Sequence, residues 1–428
     1  MNCPVVLQDL SSYAAADSDE DQWLARLADH LINDEHVIRL SDAIGRRADD
    51  EDDPALSRGA DGMWWTGRYI GELRFEDREL RIEPRLGIDV IGAWLAYAIN
   101  VTAVPNTATK ASDGPLIVQI IDRVWASAVA DAARHGTPRL RRATRHDHLF
   151  VRGRLDIAGT VRHRAAGRPL VAMERRERDL HNPVSRVLVL ADQALRSLLA
   201  SKPTWRPALT ENVLAQLRGA VGAHPQLPDR ADLRAVRYMP ISRRYQRVAE
   251  LSYEIARHRG HFTSAKSSDV SGVLIDVAEL WELFLVHCAR TAFGPNHVEH
   301  GTAEREGSYL LRSSSGAASL GRLKPDILVR DPDGSLRAVI DAKYKRLRSW
   351  VGSPSGVDRG DLYQLAAYLA GHDVPLGVLA YPLNDADEAT AHSAGPWLTR
   401  DGQTARFERI AVTAAEAGED LRSVLRMG

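Results

Sequence analysis

Asp326, Asp341 and Lys343 have the residue types and spacing that suit metal-assisted hydrolysis. Between the two aspartates, Asp333-Gly334 is a strong signal for a two-residue hairpin turn, and centring the turn there places Asp326 directly opposite Asp341. Alternation along the strand sends Lys343 to the same face, with paired side chains about 4.5 to 5.5 Å apart. Two carboxylates placed opposite each other repel unless a cation lies between them. Hard oxygen ligands with room for water suit Mg²⁺, with Mn²⁺ as a substitute. Such an ion polarises a phosphodiester, lowers the pKa of a bound water and offsets charge in the transition state, while Lys343 positions or helps deprotonate that water. The competing reading, a surface hairpin with an incidental ion pair, conflicts with the apolar run that precedes VIDAKYK, because unpaired charge in a buried strand is costly.

Lysine usage singles out the same region. Of 56 basic residues only six are Lys, at positions 110, 202, 266, 324, 343 and 345. Three of the six cluster around the hairpin, against a strong background of Arg, which suggests a need there for a compact, titratable ammonium. Lys324 and Lys345 are candidates for phosphate contact.

The elements that must position these groups can be read from pattern. Pro325 favours an extended approach to Asp326, and Ala342 points away from the charged face. ILVRD and LRAVID read as the two strands of the hairpin. Leu274 to Ala292 reads as an amphipathic helix with Val277, Leu280, Trp281, Phe284, Leu285 and Cys288 as its apolar stripe. Asp358 to Ala370 reads as a helix stopped by Gly371, and PLGVLAY as a buried strand. This mixed order implies an α/β sheet flanked by helices. Upstream, TGRYIGELRFEDRELRIEPRL alternates with period two and turns at Glu76-Asp77, after an acidic helical stretch near Asp21 to Leu31. From about Pro115 to Arg259 the pattern is helical, as in Pro183 to Leu199, interrupted by the strand-like HLFVRGRLDIAGTV. Gly260 to Ser271 reads as a linker.

Bulk properties exclude several classes. At 428 residues and 44% apolar content the chain is long enough for several cores. Its longest apolar stretch, Val90 to Val104, is shorter than the roughly 20 residues of a spanning helix, and the N-terminus does not resemble a signal peptide, so a cytoplasmic protein without a membrane segment is expected. Cys3 and Cys288 support neither a disulfide framework nor a zinc ribbon. The net charge of -1 conceals an acidic excess from Asp17 to Asp53 and about fourteen Arg against about five acids from Arg134 to Arg186, which suits either phosphate contacts or a solvated face. The pairs His297/His300 and His146/His148 lack the further ligands of a familiar zinc site. Trp64-Trp65 reads as core or subunit contact, since adjacent strand residues face opposite sides.

Pro325-Asp326 followed by Asp341-Ala342-Lys343 resembles the PD-(D/E)XK nuclease signature. The resemblance implies that Glu282, in LWELF, matches that superfamily's helical glutamate and joins Asp326 and Asp341 in holding metal or water, with Glu279 one turn earlier as a substitute. It implies also that Gln364 and Tyr368 form a QxxxY element near bound DNA; their i, i+4 spacing puts both on one helix face. Further stretches, YIGELRFEDRELRIEPRLG, VRGRLDIAGTV, RERDLHNPVSRVLVLA with Asn182 and Arg186, and DAKYK, resemble McrC, the nuclease subunit of 5-methylcytosine-dependent restriction systems. The chain departs from that family in its acidic first fifty residues and its Arg-rich middle.

The resemblance implies an α/β multidomain protein: a small, mainly β N-terminal domain over 1–112 for partner docking, a helix-rich, Arg-rich middle region over 113–265, and a C-terminal PD-(D/E)XK mixed-sheet nuclease domain over 266–428. It implies a Mg²⁺-dependent DNA endonuclease of a defence system, acting with a McrB-like AAA+ GTPase or ATPase that moves on DNA. The chain itself has no GxxxxGK[ST] phosphate loop. Two other readings are a non-cleaving DNA-binding adaptor of such a motor and an autonomous nuclease of repair or RNA processing.

Overall fold

The alternation around Glu76 forms the expected hairpin. Tyr69–Phe75 and Arg78–Glu83 pair antiparallel, and Glu76 takes the turn at φ 54°. In the computed structural model the described residues are 4–31, 37–38, 54–98, 116–199, 203–257, 270–301, 308–314, 316, 318–346, 356–383 and 396–426. They divide into two compact units, one of residues 1–111, 115–121 and 260–428, the other of 112–114 and 122–259. The sequence suggested three consecutive segments; the contacts instead gather the first and last into one unit.

The reason lies in the strand Ser271–Asp276. It pairs antiparallel with Tyr69–Phe75, so residues expected to open the C-terminal domain complete a five-stranded sheet with Val5–Gln8, Arg78–Glu83 and Val37–Ile38. Trp23, Leu24 and Leu27 of the helix Ser18–His30 pack into the core beneath this sheet, and Asp17 caps that helix by accepting from the amides of Asp19 and Glu20. Leu274, expected at a helix start, lies in the strand. The helix runs over Val277–Phe293, because Asp276 accepts hydrogen bonds from the amides of Ala278 and Glu279 and so caps it. All six residues of the expected stripe are buried. Residues 260–269 of the expected linker and 99–104 of the long apolar stretch lie outside the described residues; the stretch up to Ala98 belongs to the helix Ile88–Ala98. Among the described residues no helix is long and apolar enough to cross a membrane.

The C-terminal sheet has six strands in the order Val298–His300, Ile327–Arg330, Leu336–Ala342, Leu376–Pro382, Thr404–Ile410, Trp397–Leu398. The first pairings are antiparallel, whereas Leu336–Ala342, Leu376–Pro382 and Thr404–Ile410 run parallel. Both alternating sets of its central strands are buried, as expected of a sheet covered on both faces. The helix Arg359–His372 supplies Leu365, Tyr368 and Leu369 to a core with Leu328, Val339, Leu379 and Tyr381. It is capped by Asp358, which accepts from the Gly360 amide, and it continues through the expected stop at Gly371 to end at Asp373 in the left-handed region. Gly371 serves packing instead: a Cβ there would lie 2.0 Å from Leu323 Cδ1.

In the second unit Pro183–Leu198, capped by Asn182, packs with Ala208–Val221 and Tyr245–Arg257. Arg206 is fully buried there between Asp122 and Asp192. The segment HLFVRGRLDIAGTV does not form the expected strand. Apart from His148, which ends a longer strand, and the short Arg154–Leu155, it is a loop leading into the helix Ile157–Ala165, with Leu149, Phe150, Val151 and Ile157 exposed. The long strands flank it, Leu140–His148 paired antiparallel with Val171–Asp179. Their Arg- and Glu-rich composition hid them. Arg141, Arg145 and Arg175 on these strands are exposed.

Candidate active site

The hairpin Ile327–Arg330 with Leu336–Ala342 has the register read from the sequence. Ile327 faces Ile340 and Leu328 faces Val339, which brings Asp326 and Asp341 to corresponding positions at the open end. The turn differs in detail. Asp331 and Ser335 bracket a three-residue loop in which Gly334 takes φ 89°, and a register shift between Val329 and Arg330 absorbs the extra residue.

Asp326, just before its strand, accepts the Ala342 amide at Oδ2, 2.7 Å away. Asp341 is 2% exposed, and Lys343 Nζ lies 2.7 Å from its Oδ2. The Lys343 backbone is fixed by donation to the Ala380 carbonyl at 2.9 Å; the same oxygen accepts the Trp281 indole N–H at 3.1 Å, tying the helix that carries Glu282 to the lysine's strand. Lys343 Nζ also donates to Gln364 Oε1 at 2.7 Å, Gln364 Nε2 donates to the Tyr368 hydroxyl at 2.8 Å, and Tyr368 donates to the Lys324 carbonyl at 3.0 Å. The structure thus brings Gln364 and Tyr368 to Lys343.

Glu282 is buried and 2.7 Å from His300 Nε2. Its charge acts on both aspartates. Glu279 is buried on the same helix. Burial, Glu282 and Asp341 push the Asp326 carboxyl well above the usual range, against Lys343 and the Ala342 amide. Burial likewise raises Asp341, countered by Lys343. Lys343 itself is raised, because the charges of Asp341, Asp361 and Asp326 outweigh the burial that opposes its ammonium.

Two members were not foreseen. Asp361 lies one turn before Gln364, with Lys345 Nζ at 2.9 and 3.1 Å and Lys343 Nζ at 3.5 Å. The pattern D-x-x-Q on one helix face carried a signal for it. His300 was set aside as half of an incomplete zinc pair; nothing in the spacing from Glu282 reveals that they meet. Gly301 permits that region to close, since a Cβ there would lie 1.6 Å from the Pro325 carbonyl oxygen beside Asp326.

Among the described residues no three His, Cys, Asp or Glu side chains close around one point as a preformed metal cage does. The donor set instead fits a cation that keeps most of its waters and takes one or two carboxylates. The buried Asp341 Oδ2 takes no well-directed hydrogen bond and has the Lys343 ammonium against it, and the charges of Glu282 and Asp341 both act on Asp326, a concentration of carboxylates that suits a cation.

A chain from the refined half-complex of the tetradecameric assembly of Thermococcus gammatolerans McrB AAA+ hexamers with bound McrC has this fold, with a TM-score of 0.54 at 15% identity over 99% of this chain and 100% of that one. A chain of the cryo-EM structure of the Thermococcus gammatolerans McrBC complex matches at 16% identity and TM-score 0.40, covering 67% and 86%. No curated protein matches the sequence. The model of the family described as McrBC 5-methylcytosine restriction system component matches residues 65–382, from the N-terminal hairpin through the hairpin bearing Asp326 and Asp341 to the strand Leu376–Pro382, and the chain belongs to that family.

Proposed function

We propose that this protein is the Mg²⁺-dependent DNA endonuclease subunit of a McrBC-like restriction system, hydrolysing phosphodiesters under the control of an AAA+ partner. The observation that carries the reading is the meeting of Asp326, Asp341 and Lys343 at one end of a buried hairpin, with Glu282 acting on both carboxylates. Asp326, Asp341 and Glu282 would hold the cation, which supplies charge neutralisation at the phosphate and an acidified water when bound. Lys343, flanked by carboxylates, keeps its proton and orients the attacking water and the phosphate oxygens rather than acting as the base. Gln364 fixes the ammonium, and His300 fixes Glu282. The partner is supported by family membership and by the Thermococcus assembly, in which McrC is bound to McrB AAA+ hexamers. The exposed arginines Arg141, Arg145 and Arg175 supply charge for phosphate or partner contact.

The test is cleavage of methylated and unmethylated plasmid with Mg²⁺ by the purified chain, alone and with a McrB-like AAA+ protein plus GTP or ATP. Cutting that requires partner and nucleotide is expected. Binding of DNA and stimulation of the motor without any strand scission would overturn the nuclease reading.

A further inference from the structure

The acids around Lys343 outnumber what a hydrolytic cation site needs as ligands. Asp361 is 5% exposed, sits in the first turn of the helix Arg359–His372, and lies on the same helix face as Gln364. Lys343 Nζ is therefore shared: 2.7 Å from Asp341 Oδ2, 3.5 Å from Asp361 Oδ1, and bonded to Gln364 Oε1 at 2.7 Å. Lys345 Nζ approaches both Asp361 oxygens, at 2.9 and 3.1 Å, and holds that carboxylate in place.

Lys343 thus faces two carboxylates, Asp341 and Asp361, while Lys345 faces Asp361. Were Asp341 the sole anion beside Lys343, a cation taking Asp341 would strand a buried ammonium without a counter-charge, which is strongly unfavourable. Asp361 removes that conflict, since Lys343 already faces it.

We infer that Asp361 is a positioning residue, the second counter-ion of Lys343, which frees Asp341 for a divalent cation without itself ligating it. The inference rests on the proposed reading of Asp326 and Asp341 as a cation site. Asp361 thereby weakens the competition between Lys343 and the cation for Asp341, and it keeps the ammonium on the Gln364 side of the site.

The test is Mg²⁺ titration calorimetry on the full chain without DNA, comparing wild type, Asp361→Asn, Lys343→Met and the double variant, each checked for an unchanged melting temperature. Asp361→Asn is expected to weaken Mg²⁺ binding about tenfold when Lys343 is present, a coupling of ordinary size for contacting charges. In the Lys343→Met background, where the competitor is gone, the same substitution leaves affinity unchanged. Equal loss in both backgrounds would make Asp361 a ligand or a structural support, and no loss in either would remove it from the site; both results overturn the inference. Asp341→Asn serves as the control for the underlying reading. If Mg²⁺ binds that variant as it binds wild type, the cation site itself is misplaced.

Discussion

The Tyr344 hydroxyl donates to Asp9 Oδ2 at 2.7 Å across 335 residues of chain. Tyr344 follows the lysine of the site directly, and Asp9 follows the first strand of the N-terminal sheet. Asp9 also accepts the Arg85 amide at 2.6 Å; the Arg85 guanidinium lies 4.7 Å from the centre of the Tyr344 ring, and Trp94 meets the same ring edge-on. Where the strand Leu336–Ala342 ends, the N-terminal segment grips the next residue but one. This is how a β domain remote in sequence fixes the backbone that presents Lys343.

Removal of that hydroxyl tests the grip. Burial already pushes the Asp9 carboxyl up despite Tyr344 and Arg85. Tyr344→Phe withdraws one donor from a fully buried carboxylate and should cost about 1–3 kcal/mol. Differential scanning fluorimetry should show a lower melting temperature for Tyr344→Phe. Adding Asp9→Asn should recover part of the loss, because the unsatisfied charge is then gone.

The two aspartates predict a trade of stability for function. Asp326→Asn keeps an acceptor for the Ala342 amide and removes a charge that burial, Glu282 and Asp341 all disfavour. The metal-free variant should therefore melt higher than wild type near neutral pH while losing cleavage. The folded pKa is raised, so the penalty on wild type is absent below the ordinary carboxylate value of about 3.9 and grows as pH rises through the folded pKa. The advantage of Asp326→Asn should accordingly vanish as pH falls toward 4. A variant less stable than wild type at pH 7 would contradict this electrostatic account.

Gln364 is exposed, yet holds Lys343 and Tyr368. Its replacement by Ala removes a hydrogen bond to a charged group and should lower the melting temperature modestly and cleavage about tenfold or more. Single-turnover cleavage rates measure this. An unaffected rate would place Gln364 outside the working site.

Much of this site was legible because local signals agreed. Asp333-Gly334 fixed which residues face each other, and the bulge at Val329 and Arg330 preserved that register even though the loop is one residue longer. The helix bearing Glu282 showed itself by its apolar stripe. What stayed hidden depends on distant pairing. Ser271–Asp276 finds its partner two hundred residues earlier, and SSDVSGVLID has no alternation strong enough to separate strand from helix start. His300 and Asp9 are single polar residues whose meaning is given only by Glu282 and Tyr344. The strands Leu140–His148 and Val171–Asp179 carry charges where strand patterns carry apolar residues, while the apolar Leu149-Phe150-Val151 between them lies in an exposed loop.

Gly301 offers a steric test. With a Cβ only 1.6 Å from the Pro325 carbonyl oxygen, Gly301→Ala must displace the segment that holds Asp326. Reduced cleavage together with a lower melting temperature is expected. The same substitution with full activity would show that Asp326 need not sit where it does.

The central claim is that Asp341 and Lys343 carry phosphodiester hydrolysis. The measurement that tests it most directly is plasmid cleavage by the chain with its AAA+ partner, nucleotide and Mg²⁺, comparing wild type with Asp341→Asn and Lys343→Met, both shown to fold and to assemble with the partner. The account predicts that both variants still stimulate the motor and that neither cuts. Cleavage by either variant at the wild-type rate would contradict it.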